Sequence, residues 1–90
     1  MSKTNRYASV WDALEDDPIR RENLKLRSQL QIVISERIKD LKQSEAAEIL
    51  KISQPRVSAL LKGNVNDFRL DSLVDMAARL GLHVSIEIAA

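Results

Sequence analysis

Residues 43–63 read QSEAAEILKISQPRVSALLKG, and this stretch decides how the chain folds. Apolar residues recur at helical spacing on both sides of residues 51–53. The first set is Ala46, Ala47, Ile49 and Leu50, and the second is Val57, Leu60 and Leu61. Ser53 is a natural N-cap for the second helix, and Gly63 can take the left-handed conformation that ends it. The stretch therefore predicts two short helices joined by a three-residue turn, with the small Ala47 where they cross.

The second helix begins with polar side chains that point away from its apolar face. Gln can hydrogen-bond N6 and N7 of adenine, Arg can bond O6 and N7 of guanine, and Ala can contact a thymine methyl group. The major groove of DNA admits one helix, so a rigid pair that projects this end can read bases. Residues 43–62 therefore predict a DNA-binding helix-turn-helix unit, with candidate contacts at Gln43, Ser53, Gln54, Pro55, Arg56, Ser58, Ala59, Lys62 and Asn64.

These candidates divide by role. Gln54 is expected to read a base, whereas Arg56 could read a base or bind a phosphate. Gln43 opens the first helix, where its amide and the backbone N–H groups can reach a phosphate, and Lys62 and Asn64 flank the groove. The alternative is an ordinary helix pair with no DNA role. The register, the small residue, the turn and the capping glycine together favour DNA binding.

The rest of residues 18–82 completes a helical domain behind this unit. Asp17 and Pro18 predict the start of a long amphipathic helix whose apolar face carries Leu26, Leu30, Val33, Ile34, Ile38 and Leu41. Residues 64–69 form a polar loop with Phe68 turned inward. A final helix carries Leu70, Leu73, Val74, Ala77 and Leu80 and stops at Gly81. The expected fold is mainly α, a bundle of about four to five helices.

In residues 83–90 the spacing of apolar residues changes from the helical period to an alternating one. His83 to Ile88 alternate polar and apolar, which predicts a half-buried strand at residues 83–90. A strand must pair, most simply with its own copy in a second subunit, which makes Val84, Ile86 and Ile88 the expected dimer contacts. Leu24 or Ile32 of the long helix could add to that interface. The alternative is pairing within the subunit, with residues 7–11 as a second strand.

Composition bounds the function classes. Ninety residues make one domain with a thin core, and cysteine is absent, which excludes disulfides, thiolate chemistry and the usual zinc sites. A lone His83 and the absence of a glycine-rich phosphate loop indicate that the chain is no enzyme and needs no cofactor or metal. No apolar run could span a bilayer and no signal peptide is visible, so we expect a cytoplasmic protein.

The net charge of +1 is less informative about a nucleic-acid partner than the distribution of charge along the chain. Residues 1–17 and 70–90 each sum to −2, whereas residues 18–41 sum to +3 and residues 42–69 to +2. A basic middle between acidic ends suits a protein whose middle faces phosphate. In the N-terminal extension, residues 1–17, an acidic group at Asp12, Glu15, Asp16 and Asp17 predicts a helix-capping patch or a contact for a basic partner. Trp11 could anchor an interface or pack the extension onto the first helix.

The helix-turn-helix segment resembles the Cro and lambda-repressor-like (XRE) family, whose second and third helices begin with Gln in this way. More closely, the chain is similar to a subfamily of HigA-like antitoxins and transcriptional regulators. The residues that carry this likeness are Val10-Trp11-Asp12-Ala13-Leu14, Leu26-Arg27-Ser28, Ser53-Gln54-Pro55-Arg56-Val57-Ser58, Gly63, Phe68, Leu80-Gly81, Val84 and Ile86.

The resemblance implies a dimeric repressor that binds a palindromic operator, pairs with a RelE-type or HigB-like ribonuclease toxin and represses its own operon. A regulator without a toxin, or a protein whose main work is covering a toxin, remains open. One position departs from the family: Lys51 stands where the turn usually has Gly. Lysine would strain the turn if φ is positive there, although it adds a charge near the DNA backbone.

Overall fold

The computed structural model describes residues 17–90, which contain four α-helices and one turn of 3-10 helix. The helices are α1 (Pro18–Ile38), α2 (Gln43–Leu50), α3 (Gln54–Leu61) and α4 (Leu70–Arg79), and the 3-10 turn is Val65–Asp67. The predicted helical bundle is therefore confirmed for this part of the chain. The predictions for Trp11, for a strand at residues 7–11 and for the acidic residues before Asp17 lie outside the described residues.

Helix α1 begins where its capping chemistry predicts. Asp17 accepts a hydrogen bond from the backbone N–H of Ile19 at 3.0 Å, and Pro18 occupies the first helical position. The side chain satisfies one of the N–H groups that have no partner inside the helix, and proline has no N–H to leave unpaired. The cap fixes where the chain enters the bundle.

The apolar face of α1 is only partly covered, which differs from the prediction. Ile34 and Ile38 are buried, but Leu26 and Val33 keep 42 and 47 % of their surface exposed, and Leu41, predicted on the same face, lies beyond the end of α1 and keeps 36 %. At 1.5 Å per residue, α1 is about 32 Å long whereas α3 is about 12 Å, so the short helices cannot cover it along its length. Of the two residues predicted to add to a dimer interface, Leu24 is buried at 6 % exposure, whereas Ile32 is 58 % exposed, so only Ile32 is available for such a contact, which stays a prediction.

The core lies where all four helices meet. Its largest buried side chains include Phe68 from the loop before α4, Ile34, Ile38, Leu50, Leu60 and Leu73. Phe68 is turned inward as predicted, and Val65 beside it is also buried. None of the helices in the described part of the chain is long and apolar enough to cross a membrane.

All three short helices end in the same left-handed cap. A residue with positive φ follows each helix: Lys51 (61°) comes directly after α2, whereas Gly63 (84°) and Gly81 (80°) come one residue further on, after Lys62 and Leu80. The next residue then donates its N–H to a carbonyl five residues back, at 3.1, 3.1 and 3.0 Å, in the pairs Ile52–Ala47, Asn64–Ala59 and Leu82–Ala77. This arrangement satisfies carbonyls that the helix leaves without partners. Glycine adopts this conformation freely, whereas Lys51 adopts it at a cost.

We expect Lys51→Gly to stabilise the fold. A left-handed non-glycine residue costs about 1–2 kcal/mol, of which glycine gives back part through its greater freedom in the unfolded chain. The expected gain is about 0.5–1 kcal/mol in the free energy of unfolding, measured by urea denaturation. Lys62→Gly is the matched control, because Lys62 caps α3 with a right-handed φ of −81°. A gain in the control equal to that in Lys51→Gly would contradict the explanation.

The tail, residues 83–90, does not pair as a strand with any part of residues 17–82. Residues 82–90 carry no strand or bridge assignment among the described residues. Val84 is half-buried against the core, whereas Ile86 and Ile88 are 77 and 89 % exposed. The extended tail thus leaves two large apolar side chains in solvent, and the edge of its backbone has no partner strand in the described chain.

Candidate nucleic-acid interface

Helices α2 and α3 form the predicted helix-turn-helix pair. Ala46, Ala47 and Leu50 of α2 and Val57 and Leu60 of α3 are buried in one shared cluster. Ile52 in the turn packs against the same cluster, as predicted for a residue that fixes the turn to the core. The small Ala47 lets the two backbones approach closely. The angle between the helices is therefore fixed by packing rather than by the turn alone.

The N-terminus of α3 is held in the predicted way. Ser53 Oγ accepts a hydrogen bond from the N–H of Arg56 at 3.3 Å, and Pro55 lies in the first turn. Gln54 and Pro55 are exposed, and Ser58 and Ala59 are half-buried. On a helical wheel Pro55, Ala59 and Lys62 lie opposite the buried residues of α3. This side of α3, the outward face, is accessible to a groove.

The remaining phosphate candidates lie at the two ends of the pair. Gln43 opens α2 and is exposed, and Lys62 and Asn64 follow α3 and are exposed. Sequence reasoning missed Glu45, whose Oε1 accepts a hydrogen bond from the N–H of Lys42 at 3.1 Å. A Glu at the third position of a helix is the signal that predicts this cap. Glu45 thereby uses the N–H of residue 42 and leaves the side chain of Gln43 outside the cap.

Arg56 is placed differently from the other candidates. Its Nη2 donates to the carbonyl oxygen of Asp67 at 3.2 Å, and its guanidinium carbon lies 4.5 Å from the centroid of the Phe68 ring. The planar group is thus held between a backbone acceptor and an aromatic face. On the helical wheel Arg56 lies on a flank of α3 and not on its outward face. Of its two predicted roles, this position favours phosphate over base.

Two polar residues of α1 form hydrogen bonds to the C-terminal turn of α3. Gln31 Nε2 donates to the carbonyl oxygen of Leu60 at 2.8 Å and to Ser35 Oγ at 2.9 Å, and Ser35 Oγ lies 3.3 Å from the same carbonyl. Gln31 is 9 % exposed, so these bonds lie in the interior. Sequence reasoning missed this contact, although two polar residues spaced by four beside Ile34 and Ile38 were the available signal.

Basic residues surround the helix pair. Lys42, Lys51, Arg56 and Lys62 are exposed. Lys39, just after α1, differs because Glu36 lies 3.0 Å away. The hydrogen bond that Lys39 donates to Glu36 and the charge of that carboxylate raise the pKa of Lys39, so it stays charged but already has a partner. Among residues 17–90 no group of three or more His, Cys, Asp or Glu side chains could hold a metal ion.

The fold and this interface define a helix-turn-helix DNA-binding regulator. A family model described as a helix-turn-helix domain matches residues 13–89, which is most of the chain. The protein therefore belongs to this helix-turn-helix domain family. No curated protein matches the sequence.

Proposed function

We propose that the protein is a sequence-specific repressor of the XRE type, which inserts α3 into the major groove of an operator. The observation that carries this proposal is the outward face of α3, which is polar or small and accessible while Val57 and Leu60 are fully buried beneath it. A rigid helix of this kind can meet base edges without rearranging. The protein acts by binding, without catalysis and without a cofactor.

The contacts follow from position. Gln54 reads an adenine, and Ser58 and Ala59 lie against the adjacent base edges. Pro55 packs beside the groove wall, and Ser53 combines its cap with a contact to the backbone. Gln43, Lys62 and Asn64 bind phosphates on either side.

We expect Gln54→Ala to reduce operator affinity by about 1–3 kcal/mol and to leave affinity for random DNA nearly unchanged, because only a base contact is lost. Lys62→Ala is the matched control. It weakens binding to all DNA sequences alike, and it reduces the salt slope, the slope of log affinity against log salt concentration, by about one unit. Both are measured by fluorescence anisotropy on the two DNAs over a range of salt. If Gln54→Ala reduced affinity equally on both DNAs, Gln54 would contact the DNA backbone and not a base.

We further propose that the active form is a homodimer joined by residues 83–90. Antiparallel pairing of two copies is supported by the exposed Ile86 and Ile88 and by the backbone edge of the tail, which has no partner strand among residues 17–90. A two-fold dimer places its recognition helices about one helical turn apart, roughly 34 Å, so the operator is an inverted repeat with that spacing. Footprinting on a single asymmetric half-site would contradict the dimer.

The second candidate function is that of an antitoxin, supported by the resemblance of residues 10–14, 26–28 and 53–58 to HigA-like proteins. In this role the protein covers a RelE-type or HigB-like ribonuclease and represses the shared operon. The test is the neighbouring gene: a small basic reading frame that arrests growth when expressed alone, and is neutralised by co-expression of this protein. Operator binding with no such neighbour would indicate a regulator without a toxin.

A further inference from the structure

A polar cleft of about 170 Å³ lies beside the N-terminal half of α3, between the α2–α3 turn and α4. Three cationic residues line it: Lys51 from the turn, Arg56 from α3 and Arg79 from the last turn of α4. Ser72 adds a hydroxyl, and Asp75 is the one carboxylate among the described lining residues. The lining therefore carries a net charge of +2 on a small concave surface.

The cations of this cleft have no ion-pair partner in the described part of the chain. Among residues 17–90, neither Lys51 nor Arg79 forms an ion pair, although Asp75 lines the same cleft. Arg56 uses one donor on the carbonyl oxygen of Asp67 and rests one face on Phe68, which leaves its other donors unused. Because the ring and the carbonyl fix the guanidinium plane, little side-chain entropy remains to be lost when an anion binds.

Lys51 holds its place in the cleft at an energetic cost. It is the one non-glycine residue with positive φ in the described chain, and the equivalent caps after α3 and α4 use glycine. Strained residues persist at functional positions, where the function offsets the strain. A lysine ammonium at the rim of an unneutralised basic cleft gives this residue such a function, which glycine could not supply.

We propose that Lys51, Arg56 and Arg79 form a phosphate-binding cleft whose ligand is one backbone phosphate of the operator, with Ser72 as an additional donor. The inference rests on the proposed DNA-binding function and adds Lys51, Ser72 and Arg79, which lie outside the nine candidate contacts, to Arg56, which is one of them. A flank of α3 faces the wall of the major groove, where the phosphates lie, while the outward face meets the bases. The cleft thus positions α3 in the groove and reads no sequence.

The test compares charge-removing variants on operator and random DNA from low to moderate salt. Lys51→Gln and Arg79→Gln are each expected to reduce the salt slope, and both together to reduce it by about one unit per subunit, because one phosphate contact is lost. Affinity falls by a similar factor on both DNAs, on the order of tenfold for the double variant at physiological salt. Lys51→Arg retains the slope, because it keeps the charge at the same position. Asp75→Asn has the opposite sign and tightens binding to both DNAs.

Two control variants isolate the cleft from general charge effects. Lys25→Gln removes a cation on α1 that already pairs with Glu22, and Asp71→Asn removes a carboxylate that pairs with Arg69. Neither lines the cleft, so neither should reproduce these changes. Slopes unchanged in the cleft variants, or changed equally in the controls, would overturn the proposal while leaving operator binding intact.

A second arm separates the sources of phosphate and does not depend on an operator. Inorganic phosphate is titrated into the full-length protein, and the amide and side-chain resonances of residues 51, 56, 72 and 79 are followed by NMR. Weak, local shifts that Arg79→Gln abolishes support the site, with DNA as the source when the salt slopes also change. Tight phosphate binding without slope changes would identify a free anion as the ligand and overturn the DNA assignment. No shift and no slope change would overturn the site itself.

Discussion

The chain carrying Ile86→Lys and Ile88→Lys together is expected to be monomeric and to bind its operator at least tenfold more weakly. Both side chains are mostly exposed in the single chain, so the substitutions leave its interior unchanged. In a tail-to-tail dimer, four isoleucines would be buried over the two subunits. At about 1.5–3 kcal/mol for each fully buried side chain, this gross gain offsets an association cost of about 4–15 kcal/mol. Val84 contributes less than the sequence predicted, because it already packs on its own core.

Light scattering and operator affinity measure this result. Ser85→Lys is the matched control, because residue 85 points to the other side of an extended tail and its charge leaves the apolar face intact. Deletion of residues 83–90 should reproduce the monomer while retaining the helical circular dichroism signal. An intact dimer with unchanged operator affinity in the double variant would contradict dimerisation through the tail. The exposed face of α1 near Val33 would then be the next candidate for the dimer interface.

The largest loss of stability is expected for Phe68→Ala. Phe68 is 1 % exposed and is the largest fully buried side chain, so its truncation removes about 3–5 kcal/mol. A small domain has a total stability of about 5–15 kcal/mol, which places this variant near the limit of folding. Urea denaturation with the unchanged protein as reference measures the loss.

Phe68→Leu separates the two roles of the ring. It fills most of the volume and should be less destabilising than Phe68→Ala, but it lacks the aromatic face on which Arg56 rests. We expect the folded Phe68→Leu protein to bind operator and random DNA more weakly by the same factor. A Phe68→Ala protein that lost less than about 1 kcal/mol would show that the loop before α4 is not part of the core.

The sequence predicted the helices well because their ends are local. Asp17, Ser53, Gly63 and Gly81 each act through hydrogen bonds or backbone preferences within a few residues, and these need no knowledge of the rest of the fold. The buried face of α1 was harder to predict from the sequence. Leu26 and Val33 have the right spacing but are exposed, since coverage depends on the lengths of helices elsewhere in the chain.

The candidate interface shows the same division. The helix pair, its turn and the exposed start of α3 follow from residues 43–63 alone. The contact of Arg56 with Phe68 joins residues 12 positions apart, and the hydrogen bond from Gln31 to Leu60 joins residues 29 positions apart. No rule based on sequence spacing predicts either contact. Pairing of the tail across subunits stays a prediction.

The bonds from Gln31 and Ser35 end on a main-chain oxygen, and that chemistry is the same whatever side chain residue 60 carries. The recognition helix is therefore anchored by its backbone, by inward-facing Val57 and Leu60, and by Ala59, which packs against the same core. Nothing in this attachment depends on the side chains of Gln54 or Ser58. Those residues are free to change without loosening the attachment. A lineage that carries this scaffold can accordingly acquire a new target site through a few surface substitutions, with folding and DNA recognition evolving almost independently.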